Sequence, residues 1–492
     1  MRLAVRLDRR ALRQWHHEVV AALSGRSDVE VGVLWSEDRR PVPREVEQLF
    51  ALEQRLHGLP RGRSTLTDER PFMRYVDRVE RPEVVLDLVG DDADGVTTWH
   101  LTFDGRAGED SLLGALLEGR TPVVRVVDLT AGRTVATGRP GSENPGVTLA
   151  AFEDVLAGCT RLLQVALDGG GGSDLDDGRP TSLTRRDVLR HAGRSVARSA
   201  LRRVYRLLYR APHWRVGWRR VEGPDVFDLN ELPSAGWQDI PDDGWHFYAD
   251  PFPIVVDGRT YLFVEDFDHR LGRGVISVVP FGEDGPEGTP LPVLEHTAHL
   301  SYPFVLEDAG EVWMIPETSG AGTVELYRAT GFPHGWQLEE VLLEGMEVSD
   351  ATPFRHRGRW WLSATVRDGG SFSDALHLWS ADRLQGPWSP HARNPVLVDI
   401  GSARPAGRVV RRGGRLVRPV QDGRKGYGAA LALAEITRLD DVGFEQRVVA
   451  RLGPGDGWPG TRLHTLNRAG WLEVVDGSAY SPRLRWLGTH RR

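Results

Sequence analysis

The sequence predicts a multidomain chain: an α/β layer at the N-terminus, then an all-β five-bladed β-propeller. Three observations carry this. The 492 residues exceed one core of roughly 100–200 residues. Residues 1–168 alternate strand and helix signals. From about residue 225, a strand–glycine turn–strand unit recurs five times.

The N-terminal elements follow in order. "RLAVRL" is a short apolar strand, and "ALRQWHHEVVAAL" has helical spacing. "VEVGVLW", "EVVLDLVG" and "TTWHLTF" read as strands. "EDSLLGALLEG" is a helix, "TPVVRVVDL" a strand in a hairpin with "RTVATG", and "TLAAFEDVLAGCTRLLQVAL" a closing helix. Such alternation predicts a largely parallel sheet over 1–168. Residues 169–183 are rich in Gly, Asp and Ser and read as a flexible linker.

Residues 184–212 then read as an Arg-rich amphipathic helix. Thr184 and Asp187 form a capping-box pattern. Leu189, Ala192, Val196, Ala200, Val204 and Leu207 trace one stripe, and Arg186 to Arg210 recur every fourth residue on another. Two readings stay open. The helix lies on an anionic membrane or binds a polyanion through 184–210. Otherwise it docks, with arginine stems covering apolar surface.

The propeller is expected over 225–488. Its turn glycines are Gly258, Gly310, Gly358, Gly413 or Gly414, and Gly470, at intervals of about 48 to 57 residues, which suits one four-stranded blade each. Two-residue turns fix the pairing. They set Asp250 opposite Glu265, Tyr302 opposite Glu317, Asp350 opposite Thr365 and Arg404 opposite Gln421, with His464 near Val475 and Asp476. In a propeller these hairpin mouths converge around the axis. Clustered carboxylates push at least one pKa upward, as a general acid requires, and two flanking carboxylates are what glycoside hydrolysis uses. Acids at strand ends also simply cap turns and ladder ends.

Composition excludes other classes. The net charge of −7 argues against a nucleic-acid binder. Cys159 is the single cysteine, so internal disulfides and cysteine zinc sites are ruled out. Lys425 is the only lysine and no G-K-[ST] exists, so a Walker loop is absent. No apolar run approaches the roughly 20 residues of a membrane span, and no signal-peptide core is seen, so the expected location is cytoplasmic. "GRKGYG" reads as a turn, and no serine-hydrolase elbow is present.

The blocks "YADPFPIVVDGRTYLFVEDF", "SYPFVLEDAGEVWMIPET" and "VSDATPFRHRGRWWLSAT" resemble the propeller at the N-terminus of plant glucosamine inositolphosphorylceramide transferase, over about 235–485. That module is similar to the arabinanase, levansucrase and invertase superfamily of five-bladed glycosidases. The resemblance implies Asp250 as base or nucleophile and Asp350 as the carboxylate that orients substrate and tunes the acid. A glutamate on a later blade is the usual acid, where this chain has Arg404 and Gln421, so Glu317 or Glu265 is the substitute. Tyr302, Arg404, Gln421 and His464 would position the sugar. A structural cation in the channel, with His464 as a ligand, is the only cofactor implied. The stretch "LTFDGRAGEDSLLGALLEGRTPVVRVVDLTAGRTVATG" resembles the formyltransferase fold, which is Rossmann-type. The Asn-x-His pair of those enzymes is missing, since the first asparagine is Asn144, and neither His100 nor Asp104 restores it. A degenerate, non-catalytic relative is implied.

The expectation is therefore a glycoside hydrolase or transglycosidase acting on a glycan or glycoconjugate. The alternative is a non-catalytic glycan-binding or glycan-assembly module that works beside a glycosyltransferase.

Overall fold

Seven strands build the N-terminal sheet, in the order β2-β1-β3-β4-β6-β7 with β5 paired to β4. They are β1 (Arg2–Asp8), β2 (Glu30–Ser36), β3 (Val84–Asp87), β4 (Thr97–Phe103), β5 (Arg106–Ala107), β6 (Val124–Asp128) and β7 (Arg133–Gly138). The helices are α1 (Gln14–Ser24), α2 (Arg44–His57), α3 (Glu109–Leu117), α4 (Thr148–Leu167) and α5 (Arg185–Leu208). This computed structural model describes residues 1–36, 44–90, 95–171, 175–455 and 460–483. Leu3, Val5 and Leu7 of β1 meet Phe152, Val155 and Cys159 of α4 in one core. The domain is α/β, but its sheet is mixed rather than largely parallel. β1 pairs in parallel with β2 and β3, and β3 with β4, while β4–β6 and β6–β7 are antiparallel. The reversal starts at Asp104–Gly105, whose φ values of 48° and 80° make a tight turn.

The described parts of the expected linker, 169–171 and 175–183, lie along this domain; 172–174 fall outside the described residues. The Arg120 guanidinium donates to the Arg179 carbonyl at 2.9 Å, and the Gly178 amide donates to Asp104 at 2.9 Å. A glycine-rich composition signals freedom only where the backbone has no partners.

Thr184 caps α5 by accepting from the Asp187 amide at 3.2 Å. The helix buries Val188, His191, Ser195 and Ser199, not its apolar stripe. Its anchor is Glu53 on α2, fully buried, which accepts from the Ser195 hydroxyl at 3.0 Å and lies 3.3 Å from the His191 ring.

Five antiparallel sheets then form the propeller. Blade one opens with His246–Val256 and Arg259–Asp268, blade two with Ser301–Asp308 and Glu311–Thr318, and blade three with Glu347–His356 and Arg359–Arg367. Blade four is Val410–Arg412, Arg415–Gln421, Leu431–Leu439 and Phe444–Leu452. Blade five joins Leu466–Ala469 and Leu472–Ser478 to Trp214–Arg220 and Gln238–Asp239. The ring is thus closed by strands from both ends of the module, and its first strand starts at Trp214, ahead of the expected 225. The partner of Trp214–Arg220 lies some 250 residues on, which no local period reveals. Residues 484–488 of the expected span fall outside the described residues.

The two domains dock at blade three. Arg139 and Ile400 belong to different domains and continue a ladder: the Arg139 amide donates to the Val398 carbonyl at 2.8 Å, and the Ile400 amide to the Arg139 carbonyl at 2.9 Å. Arg161 of α4 pairs with Asp374 at 2.8 Å, both buried. A Cβ on Gly141 would sit 2.6 Å from Ile400 Cβ, so only glycine permits the approach.

Candidate functional site

The hairpin turns form as the glycines require. Asp257–Gly258, Ala309–Gly310 and Arg357–Gly358 have positive φ at both central residues, the type I′ pattern. The register beyond them differs from the simple count. Glu265 pairs with Ala249, Glu317 with Ser301 and Thr365 with Ser349. Each inner strand carries a β-bulge, and its extra residue is Asp250, Tyr302 or Asp350. These three have φ of 47°, 45° and 55°. A bulge re-aims a side chain at some backbone cost, which Asp tolerates and Tyr does not without support. In blade four the Gln421 amide donates to the Arg404 carbonyl at 2.9 Å, so the expected pair is met.

The bulged residues link blade to blade. The Asp250 amide donates to Asp476 at 2.7 Å, the Tyr302 amide to Asp250 at 3.1 Å, and the Asp350 amide to Glu317 at 3.0 Å. Each carboxylate therefore satisfies the strained amide of the following blade. Tyr302 crosses the axis, and its hydroxyl accepts from the Gly407 amide of the next-but-one blade at 2.7 Å and lies 2.9 Å from the Thr352 hydroxyl.

Charge is balanced within this ring. Arg404 Nε donates to Asp350 Oδ2 at 2.6 Å, and its Nη2 lies 3.3 Å from Asp350 Oδ1 and 3.8 Å from Glu317. Gln421 adds a bond to Asp350 at 3.1 Å. Burial, with Glu317 and Asp250 nearby, pushes the Asp350 carboxyl up, and the Arg404 guanidinium opposes that. His464 Nδ1 is 2.6 Å from Asp476 and Nε2 is 3.8 Å from Asp250. Burial opposes the imidazolium, but Asp476 and Asp250 outweigh it and raise the His464 pKa to about 9. Burial raises Asp250 to about 7; His464 works against that rise, and Asp476 and Glu265 add to it.

The four carboxylates differ in what they have left to offer. Asp250 accepts from the Tyr302 amide and, at 2.8 Å, from the Thr465 hydroxyl. Both oxygens of Asp350 meet Arg404. Glu317 serves the Ser319 hydroxyl at 2.7 Å and the Asp350 amide. Glu265 has one ion-pair partner, His299 at 3.2 Å, whose side chain is 43% exposed. Glu265 is thus the least committed acid and stands beside the part of the ring that meets solvent.

All eight residues expected at the axis are brought together. Sequence reasoning placed Asp476 only as a neighbour of His464 and missed Thr465, His299, Tyr427 and Trp214. His299 lies three residues before Tyr302 and could have been found from that spacing. Tyr427 comes from "GRKGYG"; its ring lies 5.2 Å from the Arg404 guanidinium and edge-on to Trp214 and His464. Its amide donates to the Glu143 carbonyl at 3.3 Å, so a loop of the N-terminal domain braces the site. Trp214, on the closing strand, stacks on His464 at 4.1 Å.

Asp250, His464 and Asp476 each offer an atom within 4.8 Å of the others, the grouping a cation would need. A metal needs a neutral imidazole, whereas this pair of acids holds the His464 proton to about 9. With no ion bound, the two acids hold that proton near neutrality, and a cation there would have to displace it. A cavity of about 810 Å³ between the domains is lined by Asp104, Arg120, Asp422 and Arg451 and by none of the eight axial residues. Its arginines are largely paired: Arg120 with Asp104, and Arg424 and Arg451 with Asp422. Asp250 and His464, raised to about 7 and about 9, stand on the axis and not on this cavity.

Residues 238–478 match the family described as Glucosamine inositolphosphorylceramide transferase 1, N-terminal. The transferase 1 of that name from Oryza sativa subsp. japonica is 34% identical over 248 residues, which cover 47% of this chain and 33% of the relative. That from Arabidopsis thaliana is 32% identical over 248 residues, covering 47% and 32%. The chain thus spans about a third of the length of the curated relatives it matches. Among solved structures, a family 117 glycoside hydrolase produced by Zobellia galactanivorans aligns with a TM-score of 0.35 at 14% identity, over 54% of this chain and 90% of that one. An exo-β-1,3-galactanase from Clostridium thermocellum aligns with a TM-score of 0.35 at 10% identity, over 52% and 62%. The propeller of this chain is therefore similar in sequence to the N-terminal module of glucosamine inositolphosphorylceramide transferase 1.

Proposed function

We propose that the axial face of the propeller binds a glycan or glycoconjugate and serves its assembly or processing. One observation carries this reading: carboxylates from three blades, Arg404 and His464 converge on one axis, with the buried Glu265 joined to His299, which reaches solvent. Sugar hydroxyls suit such paired donors and acceptors, and Tyr427 adds an aromatic surface beside them. Binding is favoured over turnover because Arg404 occupies the blade-four place and pairs with Asp350, and because the oxygens of Asp250 already hold the fold together. The α/β domain is read as a formyltransferase-like relative without that chemistry, since Asp104 is committed to Arg120 and to two amides.

A second reading has its own support. Asp250, at about 7, exchanges a proton near neutrality, and Glu265 is close enough to influence it. In that case Asp250 and Glu265, with Glu317 as the alternative acid and Asp350 as modulator, cleave or transfer a glycosidic bond. Assaying wild type and Asp250→Asn against a panel of glycosides separates the two. Sugar binding with no turnover in either protein supports the first reading. Turnover in wild type that Asp250→Asn abolishes replaces it with the second.

A further inference from the structure

The Arg-rich helix α5 is turned the opposite way from an ordinary surface helix. A helix packed on a domain buries its apolar stripe and shows its polar face to water. Here the buried face is Val188, His191, Ser195 and Ser199, fastened to Glu53. Leu189, Leu201, Val204 and Leu207 are 56%, 75%, 54% and 75% exposed, and Val196 is 46% exposed. Among the described residues nothing covers them.

Two further features surround this stripe. Arg185 to Leu208 holds eight arginines and one acid, Asp187. By the 3.6-residue period, Arg185 and Arg203 lie along one edge of the stripe and Arg194 along the other, with Arg190 just inside that second edge beside Leu201. At the C-terminal end, Tyr205 stacks on Tyr209 with ring centroids 4.9 Å apart, and Tyr480, 62% exposed, meets both edge-on. Apolar side chains between arginine rows, ending in tyrosines, match the layered chemistry of a lipid surface: acyl chains below, anionic headgroups beside them, and a half-polar boundary.

We propose that the solvent-facing stripe of α5 lies on an anionic lipid bilayer and holds the whole chain at its surface, with Leu201 and Leu207 entering the headgroup boundary. Charge complementarity selects this occupant: a second copy of the chain would bring the same dense positive charge to the contact, and like charges oppose that pairing. The 24 residues of the helix give a contact of about 36 Å, long enough to fix the protein's orientation.

Co-sedimentation of the full chain tests this, with vesicles of phosphatidylcholine alone and of phosphatidylcholine with phosphatidylserine. The protein is expected to pellet with the second and not the first, and to be released by high salt. Leu201→Asp/Leu207→Asp is expected to lower the partition at least about tenfold, and Arg190→Gln/Arg203→Gln about tenfold. Both pairs are exposed, and a thermal melt beside each checks the fold. Leu338→Asp, at an exposed leucine on blade two, is the control and should pellet as wild type does. Failure to pellet with anionic vesicles overturns the proposal. So does a Leu201→Asp/Leu207→Asp protein that still pellets. A mass of two chains in solution that falls to one in that variant would make the stripe a self-interface instead.

Discussion

The first three blades and the last two use different means at the same axis. Blades one to three share one backbone device, a bulge with positive φ at Asp250, Tyr302 or Asp350. Their carboxylates face one another, and the strained amides are satisfied from the preceding blade. Blades four and five have no such residue and instead supply the cations, Arg404 and His464. The repeat unit thus supplies geometry, and the departures from it supply charge balance. A buried ring of acids alone would be untenable, because each uncompensated charge costs several kcal/mol.

Removing a cation should break the ring most severely. Arg404→Met leaves Asp350 without its guanidinium, with Glu317 nearby, and should cost about 3–5 kcal/mol in a urea melt. Adding Asp350→Asn in the same chain should restore a large part of that loss, since the stranded charge goes with it.

The His464 side of the ring should show itself through pH. Its pKa rises from 6.5 to about 9 on folding. A group that holds its proton more tightly when folded contributes fully below 6.5 and loses that contribution as pH climbs through 9. Asp250, raised from 3.8 to about 7, acts in the same direction at lower pH, its contribution fading as pH passes from 3.8 through 7. Stability should therefore fall by about 2–3 kcal/mol between pH 6.5 and 9. His464→Gln should flatten that slope, measured by melts across the range.

A smaller effect is expected at the bulge without a charge. Tyr302→Phe leaves the buried Gly407 amide without its acceptor and should cost about 1–3 kcal/mol. Smallest of all is Leu201→Asp on α5, outside the ring: at 75% exposure it should change stability by no more than about 0.5 kcal/mol.

The hairpins, their glycine turns and the set of eight axial residues were legible in the sequence, because a five-fold period and type I′ turns are local signals. The bulges were not. Counting back from Gly258 assumes two strands of equal length, and the extra residue at Asp250 moves Glu265 opposite Ala249. The bond from the Asp250 amide to Asp476 and the stacking of Trp214 on His464 join residues far apart in sequence and were hidden, although the fifth hairpin had set Asp476 beside His464. The orientation of α5 was hidden for the same reason: the period places Leu189, Val196, Val204 and Leu207 on one stripe, but Glu53, 142 residues from Ser195, decides which face is buried. Arg404 was visible as a departure from the glycosidase pattern, yet only its 2.6 Å bond to Asp350 shows that it neutralises the acid it might have served.

In the proposed function the axial ring holds a sugar through Glu265, the least committed of its acids. Titrating wild type and Glu265→Gln with a glycan panel, by calorimetry, tests it most directly. The expected result is a glycan that binds wild type and binds Glu265→Gln about tenfold more weakly, with the melting temperature unchanged. Equal affinity in the two proteins, or no glycan bound by wild type, would contradict it.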